Sequence, residues 1–119
     1  MSEEQSRPGA ERRQQERFEL VVQVGLTHDR QSETLTVINI SAGGVLLRND
    51  RNVEFETGEL IRIQFDVPEL APKFLIEAKV IRVVAPTTKA ALLAAMWKSR
   101  DAEAGAALAQ LLWTLSTRR

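Results

Sequence analysis

Three arginines stand just before the first hydrophobic stretch of the sequence: Arg12, Arg13 and Arg17. A guanidinium group offers a planar fork of N–H donors that can bind a phosphate in bidentate fashion, and the same fork matches the O6 and N7 acceptors of guanine. Arg13 and Arg17 are four residues apart, so they share a face of a helix and also of a strand. This segment therefore indicates a site where two arginines contact one ligand.

The same arginines have a plainer interpretation as part of a solvated charged segment. Glu11 and Glu16 are close enough in sequence to pair with them at the surface. Residues 1–18 hold four arginines and four glutamates, so the segment lacks the net positive charge of a nucleic-acid-binding arm. Specific binding here would depend on geometry rather than on net charge.

A second group of polar and small residues comprises Asn39, Ser41, Gly43 and Gly44. Asn39 offers donors and an acceptor, Ser41 offers a hydroxyl, and Gly44 can adopt a positive φ or let a ligand lie against bare backbone. Such a group suits an anion or the edge of a base. Asn, Ser and Gly are also ordinary turn residues, so a tight turn between two strands is the alternative.

The composition excludes several classes of function. The 119 residues fit one domain, and sixteen Lys plus Arg balance sixteen Asp plus Glu, so no net charge attracts nucleic acid or acidic lipid. Cysteine is absent, which removes thiolate chemistry and suits a reducing compartment. Residues 1–17 contain no apolar signal-peptide core, and no stretch reaches the roughly 20 apolar residues of a membrane span. We expect a soluble cytoplasmic protein without membrane insertion.

Catalytic and metal-binding constellations are not evident either. The candidates are His28, within a polar break formed with Asp29 and Arg30, and the carboxylates of Asp66 and Glu77. A lone histidine in a polar turn is usually a turn residue, and two adjacent residues such as His28 and Asp29 do not form a closed metal site. We expect no enzymatic activity, no catalytic residues and no metal.

The elements that must position the two polar groups are mostly strands. Alternating apolar residues or β-branched stretches, separated by turn residues, predict six of them: 18–26, 34–40, 45–48, 60–67, 74–84 and 91–97. The fifth is long enough to be bent or bulged. The hydrophobic spacing of 104–115 is three and four residues, which predicts an amphipathic helix starting near Asp101. Together they indicate a small antiparallel barrel or sandwich with a helix packed on it.

One residue of the predicted helix departs from its apolar stripe. Trp113 lies beside Ala106 and Ala109 rather than in line with the leucines. If exposed, Trp113 would mark a partner surface or a homodimer surface. If the helix buries a broad face, Trp113 belongs to the core instead.

The order Arg13-x-x-x-Arg17, then a strand pair, then Asn39-x-Ser41-x-x-Gly44 resembles the two sequence signatures of the PilZ family. The resemblance extends over all but the first ten residues. It implies an all-β fold, a six-stranded antiparallel β-barrel with a C-terminal α-helix. We accordingly expect a flexible N-terminal arm over residues 1–10 and a PilZ-like domain over 11–119. One departure is Ala94-Ala95-Met96-Trp97, where the family usually has Gly-Val-x-Phe, so packing should differ there.

The resemblance also implies a ligand, cyclic di-GMP, and assigns roles to residues. Arg13 and Arg17 would contact phosphate and guanine, while the Asn39 motif would hold a second guanine. Arg12 resembles the residue that favours a stacked pair of nucleotides over one, so two nucleotides per chain are expected. The ligand-binding residues predicted in this way are Arg12, Arg13, Arg17, Asn39, Ser41, Gly43 and Gly44.

In function, the resemblance implies a receptor or adaptor whose arginine segment becomes ordered over cyclic di-GMP. With no further domain expected on the chain, the signal would pass to a separate effector protein in motility, adhesion or polysaccharide control. The alternative is a PilZ-like interaction module that binds no nucleotide and acts through its barrel or its C-terminal helix.

Overall fold

The computed structural model describes residues 16–50, 53–84, 91–98 and 101–118. Six antiparallel strands form a closed barrel in the order β1-β2-β3-β6-β5-β4, and one helix follows them. The elements are β1 Phe18–His28, β2 Gln31–Ile40, β3 Gly44–Asn49, β4 Leu60–Phe65, β5 Phe74–Val84, β6 Ala91–Trp97 and α1 Ala102–Thr117. The predicted six-stranded barrel with a C-terminal helix is confirmed.

The alternation of apolar residues fills the barrel as expected. In β4, Ile61, Ile63 and Phe65 are almost completely buried, whereas Arg62 and Gln64 are exposed. The ring of Phe65 stacks on Phe74 of the neighbouring strand at a centroid distance of 4.9 Å. Adjacent strands thus contribute alternate side chains to one continuous core.

The turn between β1 and β2 is tighter than the sequence indicates. His28 pairs with Gln31, so only Asp29 and Arg30 form the turn, with φ values of 48° and 68°. Two positive φ values are what a two-residue type I′ hairpin turn requires, but Asn and Gly are its usual residues. The predicted start of β2 at Thr34 was therefore three residues late, because Asp-Arg is an unusual pair for this turn.

The sequence predicted that His28 lies in a polar break between two strands, and this prediction was wrong. It is the last residue of β1, follows the buried Val24 and Leu26 in alternation, and is only 8% exposed. Its Nδ1 lies 2.8 Å from a carboxylate oxygen of Glu59, and its ring lies 4.6 Å from that of Phe55. His28 is a core residue of one barrel end, where its polar edge has an acidic partner.

Helix α1 begins at an N-cap, where the Asp101 carboxylate accepts a hydrogen bond of 2.7 Å from the Ala104 backbone N–H. Its buried residues follow the predicted stripe: Ala104, Ala107, Leu108, Leu111 and Leu115. The helix contacts β5 and β1, and the Thr114 hydroxyl donates to the Leu70 carbonyl over 3.0 Å. Trp113 is 66% exposed, so it does not belong to the core.

Candidate functional site

A cleft of about 490 Å³ on the outer face of the barrel is lined by residues from both polar groups identified in the sequence. Its volume is in the range of small-molecule sites. Residues from β2, β3, β6, β5 and the segment before β1 line it: Arg17, Asn39, Ser41, Gly43, Gly44, Val45, Leu46, Ile81, Arg82, Ala94, Ala95 and Met96. Five of the seven predicted ligand-binding residues therefore lie together. The other two, Arg12 and Arg13, lie outside the described residues.

A side-chain hydrogen bond joins the two motifs directly. Arg17 Nη1 donates to Asn39 Oδ1 over 3.1 Å, and the backbone of Glu19, two residues after Arg17, pairs with Asn39. The bond uses one of the five N–H donors of the guanidinium, so four others can contact a ligand. The Arg17 side chain is exposed, and this hydrogen bond holds it at the edge of the cleft.

Asn39 reaches the outer face because of an irregularity in β2. Leu35 and Val37 point into the barrel, and strict alternation would place Asn39 inside as well. The register shifts between Val37 and Asn39, so Ile38 is an additional residue on this strand. After this β-bulge Ile40 is the buried residue and Asn39 faces outward.

Ser41 organises the loop between β2 and β3. Its hydroxyl accepts hydrogen bonds from the Gly43 and Gly44 backbone N–H groups at 3.2 and 3.3 Å, and its own N–H donates to the Gly44 carbonyl over 2.9 Å. The side chain is buried, with 3% of the residue exposed. In this arrangement the hydroxyl of Ser41 holds the loop closed, while contact with a ligand stays a prediction.

Gly44 is required because a neighbouring strand lies against it, and not because of a positive φ; contact of a ligand with its backbone stays a prediction. Its φ is not positive; among the glycines of the described residues only Gly58 has a positive φ. A Cβ at position 44 would overlap the carbonyl oxygen of Ala95 and lie 3.0 Å from Met96 Cα. The backbone of β6 packs against Gly44 so closely that no side chain fits.

Trp97 holds the same loop in place through two hydrogen bonds. It was not among the site residues predicted from the sequence. The indole Nε1 donates to the Ser41 carbonyl over 3.0 Å, and the Trp97 backbone N–H donates to the Gly43 carbonyl over 3.0 Å. The ring packs edge-on against Phe65 at 6.2 Å. One signal in the sequence could have identified it: the family usually has phenylalanine at this position, and phenylalanine has no side-chain hydrogen-bond donor.

The far side of the cleft is formed by residues that the motifs do not include. Ile81 and Met96 are each about half exposed, and Arg82 is exposed on β5. A register shift between Val80 and Arg82 marks a β-bulge there, so the predicted bulge in the long fifth strand is confirmed. Arg82 gives the cleft a second described arginine, on the side opposite Arg17.

Within the described ranges, the carboxylates that the sequence offered as catalytic or metal-binding candidates lie on different elements. Asp29 lies in the β1–β2 turn, Asp66 follows β4 and Glu77 lies on β5 opposite Arg62. No group of three or more metal-ligating side chains occurs in this part of the chain. No helix among the described residues is both long enough and apolar enough to cross a membrane.

Solved structures similar to this one include PilZ domains and proteins of about twice its length. The PilZ domain of YcgR from Escherichia coli with c-di-GMP has a TM-score of 0.69 and 15% identity, covering 90% of this chain and 93% of that one. The MrkH–c-di-GMP complex of K. pneumonia has a TM-score of 0.73 and 15% identity, covering 87% and 52%. MotI, the inhibitor of motility from Bacillus subtilis, has a TM-score of 0.66 and 24% identity, covering 86% and 49%.

At these identities the likeness shows a shared fold, and this chain spans about half the length of MrkH and MotI. A search of curated proteins gave no significant match. The family model for the PilZ domain matches residues 11–112, a range that contains both sequence motifs and all six strands. The chain belongs to the PilZ domain family.

Proposed function

We propose that this protein is a cyclic di-GMP receptor that passes the signal to a separate effector protein. The observation that supports this most strongly is the cleft of about 490 Å³ in which Arg17 and the Asn39–Gly44 loop meet. YcgR and MrkH, which share its fold, have been solved with c-di-GMP. A cytoplasmic location would fit this role.

The proposed contacts divide the ligand between the two motifs. Arg12, Arg13 and Arg17 bind phosphate and guanine through their guanidinium forks. Asn39, Gly43 and Gly44 contact a second guanine, and Ser41 supports that contact by keeping the loop closed. The Arg17–Asn39 hydrogen bond of 3.1 Å supports this division because it brings donors of both motifs to one point.

The proposed mechanism is an ordering of the segment that carries Arg12 and Arg13. A ligand with two phosphates provides anionic groups that attract the arginines. When the arginines bind these phosphates, residues 11–17 cover the cleft. The covered cleft is a new surface, which the effector protein binds. Motility, adhesion and polysaccharide synthesis are the processes we expect that effector to control.

Calorimetric titration with cyclic di-GMP tests the proposal. The native chain should bind saturably, and GMP and cyclic di-AMP should bind far more weakly. Arg13→Ala and Arg17→Ala should each weaken binding by about tenfold or more, because each removes a charge-assisted hydrogen-bonding group. Arg62→Ala is a matched control, since Arg62 is an exposed arginine of β4 and does not line the cleft.

The stoichiometry of the same titration tests the role of Arg12. We expect two nucleotides per native chain and one nucleotide per chain in Arg12→Ala. Absence of saturable, guanine-specific binding to the native chain would refute the receptor proposal. The interaction-module alternative, which the 66% exposure of Trp113 favours, would then take its place.

A further inference from the structure

A row of paired residues crosses the floor of the cleft from one arginine side to the other. Asn39 of β2 pairs with Leu46 of β3, Leu46 pairs with Ala94 of β6, and Ala94 pairs with Arg82 of β5. Neighbouring strands lie about 4.8 Å apart, so the backbones of Asn39 and Arg82 are separated by about 14 Å along this row. The two ends of the cleft can therefore contact different parts of a ligand.

The β-bulge at Ile81 determines where the Arg82 side chain lies. Phe74, Ile76, Ala78 and Val80 of β5 are buried in strict alternation, which would turn Arg82 toward the barrel interior. Because the register shifts between Val80 and Arg82, Arg82 instead pairs with Ala94 and lies on the outer face. Redirecting a side chain in this way is a common role of bulges beside binding sites.

The surroundings of Arg82 suit a flat, partly polar ring. Ile81 and Met96 are 48% and 47% exposed, and they line the cleft together with the small side chain of Ala94. Among the described residues, Arg82 has no ion pair and no side-chain hydrogen bond that would occupy its donors. Apolar side chains can cover the faces of a purine, and a guanidinium group beside them can donate hydrogen bonds to the acceptors on the purine edge.

We propose that this end of the cleft, formed by Ile81, Arg82 and Met96, binds a further guanine base of the two nucleotides expected per chain, and that Arg82 selects guanine over adenine. The inference rests on the proposed function as a cyclic di-GMP receptor. Guanine presents two acceptors, O6 and N7, to the two donors of the fork, whereas adenine places its N6 amino donor where O6 would be. An adenine ring therefore leaves one Arg82 donor facing another donor.

The test compares the affinities for cyclic di-GMP and cyclic di-AMP, the latter measured by competition at high concentration. Native protein, Arg82→Ala and Arg62→Ala are compared, and melting curves establish that the variants fold. Arg82→Ala should weaken cyclic di-GMP binding by about tenfold or more and reduce the preference over cyclic di-AMP by a similar factor. Arg62→Ala, which removes an exposed arginine outside the cleft, should change neither value.

Two outcomes overturn the inference while leaving the receptor proposal intact. In one, Arg82→Ala binds cyclic di-GMP as the native protein does. In the other, Arg82→Ala weakens the binding of both nucleotides by the same factor, which would indicate that Arg82 contacts a phosphate. Failure of the native chain to bind cyclic di-GMP refutes the proposed function and this inference with it, so the titration of the native chain distinguishes the two cases.

Discussion

Replacing Trp97 with phenylalanine should destabilise the loop at one end of the cleft. The indole Nε1 donates to the Ser41 carbonyl over 3.0 Å in a buried position, and Trp97 is only 6% exposed. Phenylalanine preserves an aromatic ring beside Phe65 but has no donor. The Ser41 carbonyl therefore loses a partner, while the backbone hydrogen bond from Trp97 to Gly43 is retained.

The expected cost combines two effects of this substitution. A buried acceptor without a partner costs about 1–3 kcal/mol, and the smaller ring leaves a void that costs about 1 kcal/mol more. We expect the free energy of unfolding to fall by about 2–4 kcal/mol. At about 4 °C per kcal/mol for a domain of this size, Tm should fall by about 8–16 °C.

Urea denaturation followed by circular dichroism measures this change, with Trp113→Phe as the matched control. Trp113 is 66% exposed on α1, so the same substitution there should alter stability by no more than about 0.5 kcal/mol. Cyclic di-GMP affinity should fall in Trp97→Phe and not in Trp113→Phe. Equal stabilities of the two variants would show that the indole hydrogen bond does not hold the loop.

Three further predictions concern the backbone and are also measured by urea denaturation. Gly44→Ala should cost about 1–3 kcal/mol because its Cβ would overlap the backbone of Ala95, whereas Gly25→Ala, with its nearest contact at 3.9 Å, should cost much less. Asp101→Ala should cost about 1 kcal/mol by removing the N-cap of α1, and an unchanged stability would contradict the assigned cap. Arg30→Gly should stabilise the protein by up to about 1 kcal/mol, since Arg30 has a φ of 68°; a loss of stability would count against strain in this turn.

The sequence predicted most of the fold because its signals are local. The alternation in β4 and the three-and-four spacing in α1 are direct consequences of which residues are buried, and both were confirmed. Two details lacked the usual local signal. The Asp29–Arg30 turn lacks the usual Asn or Gly, and His28 resembles a turn residue until its pairing with Glu59 is known.

The site was predictable only in part. Arg17 and Asn39 could be expected to meet on the strength of the family resemblance, and the structure places them 3.1 Å apart. Arg82 and Trp97 were missed as site residues, because the role of each depends on a neighbouring strand. The bulge that turns Arg82 outward is defined only by pairing with β6, and the hydrogen bond of Trp97 spans 56 positions in sequence.

The two tryptophans of the chain give it contrasting fluorophores. Trp97 is buried beneath the loop that lines the cleft and Trp113 is mostly exposed, so their emission should differ in wavelength and in quenching by iodide. Trp113→Phe would leave a single fluorophore bonded to the Ser41 carbonyl. Its emission would then report on the loop in solution, without a label and at low protein concentration.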